Sequence, residues 1–198
     1  MKTNFITNTI FLLALLSGST YAATPGFYLG GGAGYSYLQE FSDATNDEAS
    51  GVGGTLFAGF NFNEYVGIEA SYRKYADANY TFDNDSNINF DYQMHSFNLV
   101  AKGYLPFGQN NQFNFYGLVG VSKVSGEADI NSLTTKNIGS SSNEAMLPTV
   151  GFGLNYVINP KVTAGIEYVV TQSQDGDDQH IGIPAADLLS LTLAFHIG

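Results

Sequence analysis

The sequence predicts an all-β fold, an eight-stranded antiparallel up-and-down transmembrane β-barrel. Three observations carry the prediction. Eight segments alternate apolar residues with small or polar ones at a period of two. The connections between them alternate short and long. Charged residues make up only 13% of the 198-residue chain, against about 25% in ordinary soluble domains.

In chain order, 27–38 puts Phe27, Leu29, Gly31, Ala33, Tyr35 and Tyr37 on one face and Tyr28, Gly30, Gly32, Gly34 and Ser36 on the other. In 54–62, Leu56, Ala58, Phe60 and Phe62 oppose Thr55, Phe57, Gly59 and Asn61. In 65–75, Val66, Ile68, Ala70 and Tyr72 oppose Gly67, Glu69, Ser71 and Arg73. In 94–105, Phe97, Leu99, Ala101, Gly103 and Leu105 face away from Asn98, Val100, Lys102 and Tyr104. In 113–123, Phe115, Gly117, Val119 and Val121 oppose Tyr116, Leu118, Gly120 and Ser122. In 146–157, Val150, Phe152, Leu154 and Tyr156 oppose Thr149, Gly151, Gly153 and Asn155. In 162–171, Val162, Ala164, Ile166, Tyr168 and Val170 oppose Thr163, Gly165, Glu167 and Thr171. In 188–197, Leu189, Leu191, Leu193, Phe195 and Ile197 oppose Ser190, Thr192, Ala194 and His196. Each segment is close to the roughly 9–11 residues that a tilted membrane-crossing strand needs. Short turns follow the second, fourth and sixth segments; the long connections are 39–53, 76–91, 124–145 and 172–187. No helical segment is expected after the leader.

That leader is a secretory signal peptide over residues 1–22. Lys2 supplies the positive start, Ile10 to Leu16 the short apolar run, and Thr20-Tyr21-Ala22 the small residues before cleavage. The run is far shorter than the ~20 residues of a spanning helix. The barrel domain is then 23–198. Absence of cysteine removes disulfide and thiol chemistry. A formal net charge of −11 argues against a nucleic-acid partner, which wants a basic face.

Alternation alone also fits a soluble barrel. The second face decides otherwise: it carries Gly30, Gly32, Gly34, Gly59, Gly67, Gly120, Gly151, Gly153 and Gly165 but few charges. That is a poor soluble exterior and a good narrow lumen, where small residues make room for a few large polar ones. The apolar face carries aromatics such as Phe27, Tyr35, Tyr72, Phe97 and Tyr168, as the interfacial girdles of a lipid-facing wall require. The stretch 27–38 also tests as a phosphate-binding G-x-G-x-x-G motif and fails. Tyr35 or Tyr37 stands where the last glycine should be, and no helix follows.

The stretches GFYLGGGAGYSYL, AGFNFNEYVGIEASYR, AGIEYVV and LSLTLAFHI resemble the eight-stranded outer-membrane barrel domain of OmpA-like, opacity-type and OmpX-like proteins. The resemblance covers 26–198. It implies a bacterial outer-membrane location, with short turns in the periplasm and long loops outside the cell. It implies as partners the lipid bilayer, its lipopolysaccharide and the barrel-assembly machinery, and through the loops a host or other extracellular protein. Two features depart from the family pattern. The chain is expected to end with its barrel, without a peptidoglycan-binding module. Its last aromatic, Phe195, is followed by His196-Ile197-Gly198 rather than standing at the end.

All of the 18 acids except Glu64, Glu69 and Glu167 fall in the four long connections. Asp43, Asp47, Glu48, Asp83, Asp85, Asp175, Asp177 and Asp178 are the candidate surface-interaction residues. Acidic loops keep tips solvated; they also suit divalent cations shared with lipopolysaccharide, or a basic partner. On the inward parity lie two acids and two bases, Glu69, Arg73, Lys102 and Glu167. Unpaired charge in a closed lumen is costly. A Glu69–Lys102 bridge is therefore expected, with Arg73 and Glu167 extending it into a structural network that plugs the lumen.

No cofactor or metal is expected. In 83–87, DNDSN starts like a calcium loop, but Ile88 replaces the turn glycine and Met94 the closing Glu. Of the three histidines, His95 and Ser96 point to opposite faces, His196 sits near a strand end, and His180 has no nucleophile placed with it. The chain is therefore not expected to be an enzyme. The favoured role is cell-surface interaction by the loops: adhesion, host-factor binding or serum resistance. A structural, envelope-stabilising protein and a small diffusion pore are the alternatives.

Overall fold

The structure is a computed structural model and describes residues 23–38, 49–81, 88–132, 139–174 and 183–197. Nine strand segments form one sheet: β1 Gly26–Leu38, β2 Ala49–Asn61, β3 Val66–Lys74, β4 Ala78–Thr81, β5 Ile88–Phe107, β6 Phe113–Ser132, β7 Gly139–Asn159, β8 Val162–Thr171 and β9 Ala186–Ile197. Every neighbour is antiparallel. β3 and β4 both pair with β5 and form two parts of one stave, so the sheet has eight staves. Pairing of β1 with β9 makes the ladder continuous and closes the barrel. Closure removes every sheet edge along the crossing, which is the condition for a sheet to sit in hydrocarbon.

The segments expected at 94–105, 113–123 and 146–157 lie inside longer strands. β5 and β6 have 20 residues each and β7 has 21. Residues 88–91, 124–132 and 139–145, expected as loop, are strand. Beyond the bilayer the outer face needs no apolar side chains, so the hydrophobic period stops. The backbone ladder continues without it, as in the pairing of Gln93 with Glu127 and Ser125 with Glu144. A second difference is a single 3-10 turn at Gln109–Asn111, where no helical element was expected. Gly108, Asn110 and Asn111 take φ of 87°, 63° and 53° there. Asparagine tolerates that left-handed region better than most residues. The other two short turns are held by asparagine side chains. Asn63 Oδ1 accepts from the Tyr65 and Val66 amides at 2.8 and 2.9 Å, and Asn159 Oδ1 from the Lys161 amide at 2.8 Å.

The outer wall is apolar. Leu56, Leu99, Val119, Phe152 and Leu191 are all at least half exposed on it. Rings pack along its two rims: Phe27 with Phe60 and Phe107 with Phe113 at the end of the short turns, Tyr72 with Phe97 toward the loop end. At the β1–β9 seam the glycines of β1 have a specific task. A Cβ on Gly32 would lie 2.5 Å from the Leu191 carbonyl oxygen. A Cβ on Gly30 or Gly34 would press still closer on the Leu193 or Leu189 carbonyl. Glycine permits the close approach with which the barrel closes.

Candidate functional site

The lumen holds the charged side chains. Glu69 and Arg73 project from β3, Lys102 from β5 and Glu167 from β8, all buried. In the strand order, β8 stands four staves from β3, on the opposite side of the barrel. Lys102 Nζ donates to Glu69 Oε2 at 2.6 Å and to Glu167 Oε2 at 3.1 Å. Arg73 Nη2 donates to Glu167 Oε1 at 3.1 Å. The four side chains thus form one electrically balanced cluster spanning the lumen.

Two tyrosines complete it, and neither was singled out from the sequence. Tyr28 donates its hydroxyl to Glu69 Oε2 at 3.0 Å, and Tyr116 to Glu167 Oε2 at 2.9 Å. The Tyr116 ring also lies 4.8 Å from Lys102 Nζ, within cation–π range. Each tyrosine is paired in register with a glycine, Tyr28 with Gly59 and Tyr116 with Gly153. Each ring occupies the space that a Cβ on its glycine would need. The sequence signal was a large polar aromatic on the lumen parity, but its glycine partner is visible only once the register is known.

Toward the loop end follows a polar belt. Ser122 is hydrogen-bonded to Asn98 and to Thr149, Thr149 to Thr171 at 3.2 Å, and Thr171 to the Tyr75 hydroxyl at 3.2 Å. The belt runs from β5 through β6 and β7 to β8 and returns across the lumen through Tyr75. Beyond it an apolar cap closes the mouth: Leu38, Tyr75, Tyr92, Met94, Val124, Ala145, Leu147, Ile183, Ala186 and Leu188. Ile183 is held by a two-bond bridge to Gln174, at 2.9 Å in each direction. Val124, Ala145 and Ile183 were expected in loops. Val124 and Ala145 continue the inward parity of β6 and β7 past the bilayer, and Ile183 is brought in by its bridge to Gln174.

The eight candidate loop acids, Asp43, Asp47, Glu48, Asp83, Asp85, Asp175, Asp177 and Asp178, lie outside the described residues, as do the leader 1–22 and His180. Other acids of the long connections have partners on the barrel. Asp77 meets Lys74 at 3.3 Å, Glu144 meets Lys123 at 2.7 Å, and Asp187 accepts from the Tyr168 hydroxyl at 2.8 Å. The hydrogen bond and charge of Lys123 hold the Glu144 carboxyl below its usual range. That pair persists above the depressed value and is lost as pH falls through it. His196 Nε2 lies 3.1 Å from Thr163 Oγ1, and the His95 ring lies against Tyr72. Among the described residues no group of three or more His, Cys, Asp or Glu side chains could hold a metal ion.

The family model of the outer membrane protein beta-barrel domain matches residues 9–190. No curated protein matches the chain in sequence. Among solved structures, Neisserial surface protein A is similar at a TM-score of 0.66 and 16% identity, covering 87% of this chain and 97% of that one. Ail, the attachment invasion locus protein of Yersinia pestis, has a TM-score of 0.58 and 18% identity, covering 87% and 99%. The outer membrane protein OprG of Pseudomonas aeruginosa has a TM-score of 0.54 and 14% identity, covering 91% and 99%. At these identities the likeness is one of fold. The family model spans most of the chain, and the structure is a closed ladder of eight staves with an apolar outer wall: the chain belongs to the outer-membrane protein β-barrel domain family.

Proposed function

We propose that the protein is a small, non-enzymatic surface protein of the outer membrane. Its barrel is closed to solutes, and it meets a partner outside the cell through its long acidic loops. Residues 1–22 are its export signal, 23–198 the barrel domain, and the short turns face the periplasm. The observation that carries the reading is the lumen, filled by the cluster of Glu69, Arg73, Lys102 and Glu167 and by the apolar cap. A pore has no use for such a plug. The elaboration of the chain lies instead at the loop end, with its acids.

The charge also indicates the kind of partner. Ail is known in complex with the heparin analogue sucrose octasulfate, a polyanion. A chain of net charge −11 with acidic loops repels such a ligand and suits a basic protein surface. The test compares binding of host cells by strains with and without the protein. A variant lacking 175–182 is expected to keep the heat-modifiable gel mobility of a folded barrel and to lose the binding. Equal binding by all strains overturns the reading and leaves a structural, envelope-stabilising role.

Two further expectations follow from the same reading. In planar bilayers the purified protein adds no conductance above background; a stepwise conductance would overturn the closed lumen and favour a diffusion pore. Because the chain has no cysteine, Asp178→Cys introduces a unique thiol. An impermeant maleimide is expected to label it on intact cells, whereas labelling only after lysis would reverse the assigned orientation.

A further inference from the structure

Ala23, Thr24 and Pro25 stand between the expected leader and β1, and they do not continue the strand. Gly26 takes φ of 115°, a conformation that suits glycine, and the chain turns there. Ala23 is 5% exposed. It joins a buried cluster with Val100, Tyr104, Tyr116, Leu118 and Val169, which project from β5, β6 and β8. None of these stands on β1 or on its neighbours β2 and β9. The segment thus leaves its own wall and enters the lumen at the end of the short turns.

Two contacts hold it there. Asn61 Nδ2 donates to the Thr24 carbonyl at 3.0 Å, and Thr24 Oγ1 donates to the Pro160 carbonyl at 3.4 Å. Asn61 ends β2, which flanks β1; Pro160 precedes β8, which flanks β9. One residue therefore bridges the staves on both sides of the β1–β9 seam. Beside Ala23 lies a cavity of about 30 Å³, lined also by Asn61, Tyr104 and His196. Asn61 is 2% exposed, yet its Oδ1 has no hydrogen bond among the described residues, and neither has His196 Nδ1. A buried acceptor without a donor is costly. Of the charged cluster, both carboxylates, Glu69 and Glu167, line this cavity, but only one cation, Lys102, does. A second cation is electrostatically favoured there.

We propose that this cavity is the docking site of the chain's own mature N-terminus, and that residues 23–25 form a clasp under the seam. Cleavage after Ala22 turns the Ala23 amide into an ammonium with three donors, at the place where donors and positive charge are lacking. The ammonium donates to Asn61 Oδ1, while the Asn61 amide holds the Thr24 carbonyl. Docking the end of the chain closes the periplasmic mouth of the lumen and ties the flanks of the one pairing that closes the sheet.

The proposal rests on residues 1–22 being the export signal, as in the reading above. Its test uses protein purified from the outer membranes of cells that make the full chain. The intact mass gives the first residue, expected to be Ala23. At about pH 7 a succinimidyl ester acylates an α-amine ahead of the more basic lysines, and the gain in mass gives the rate. Asn61→Leu is expected to speed acylation of the Ala23 amine about tenfold, the scale of one or two hydrogen bonds. Unfolding in urea is expected to become about threefold faster, since part of that loss reaches the unfolding rate. Gly26→Ala leaves Asn61 in place but disfavours the turn, and acts in the same direction. Lys161→Gln, beside Pro160, changes neither rate. Wild-type protein acylated as fast as the same chain unfolded in urea overturns the docking, whether or not the variants fold. So do equal rates for the wild type and a folded Asn61→Leu or Gly26→Ala. Faster acylation with an unchanged unfolding rate overturns the clasp. A first residue other than Ala23 sinks the leader boundary and the docking with it; a chain that starts at Ala23 and fails the rate comparison sinks only the docking.

Discussion

Replacing Glu167 with alanine is expected to destabilise the folded barrel by about 3–5 kcal/mol, the usual cost of stranding a buried charge. Glu167 holds two cations at once. It accepts from Lys102 at 3.1 Å and from Arg73 at 3.1 Å. Without it, Lys102 keeps Glu69, but Arg73 is left with no ion pair among the described residues. Its side chain is fully buried, and its Nε and Nη1 already make no hydrogen bond there. The Tyr116 hydroxyl loses its acceptor as well. Glu69→Gln is the milder change, because Lys102 retains Glu167; the expected loss is about 1–3 kcal/mol. Urea titration of the barrel in lipid vesicles, followed by gel mobility, measures both. Superimposable transitions for wild type and Glu167→Ala would remove the structural role proposed for the cluster. Lys102→Met strands Glu69 but leaves Glu167 its pair with Arg73, and is expected to fall between the two.

The second large effect is expected at the seam. Gly34→Val should keep most of the chain from closing into a barrel. Overpacking a core costs typically about 1–3 kcal/mol when side chains can move aside. Here the colliding atoms are the Leu189 carbonyl and the Ser190 Cα, which belong to the backbone of β9. No rotamer change relieves that contact; the strands themselves must part, and the β1–β9 pairing is the one that closes the sheet. Gly117→Val is the matched control. Gly117 faces outward, and a Cβ there meets nothing within 4 Å. The fraction of refolded protein with heat-modifiable mobility should collapse for Gly34→Val and stay near wild type for Gly117→Val. Equal yields would mean that the β1 glycines are there for some reason other than closure.

These two sites differ in how far they were legible beforehand. The parity of Glu69, Arg73, Lys102 and Glu167 placed them inward, and the cost of buried charge required partners. Similar heights on adjacent strands suggested Glu69 with Lys102. That Glu167 would serve both cations required knowing that β8 stands across the barrel from β3. Gly30, Gly32 and Gly34 were legible as lumen-facing and small. Their contact with the β9 carbonyls depends on the tightness of the seam, which no local pattern encodes. The extensions of β5, β6 and β7 were missed because strands outside the bilayer lose the hydrophobic face that marks a strand. Much of the apolar cap went with them, since Tyr92, Val124 and Ala145 stand on those extensions and Ile183 on the bridge to Gln174.

By itself the sequence determined the number of crossing staves, which face of each meets lipid, the rims where aromatics gather, and the inward placement of four charges. All of these follow from a period of two and from the energetics of moving side chains between water and hydrocarbon, which act residue by residue. The tertiary structure alone decided which side chains meet. The Tyr28–Gly59 and Tyr116–Gly153 pairings depend on register. The span from Arg73 to Glu167 depends on the order of staves around the barrel. Register and closure are properties of the whole ladder, set when β1 meets β9, and no single segment carries them.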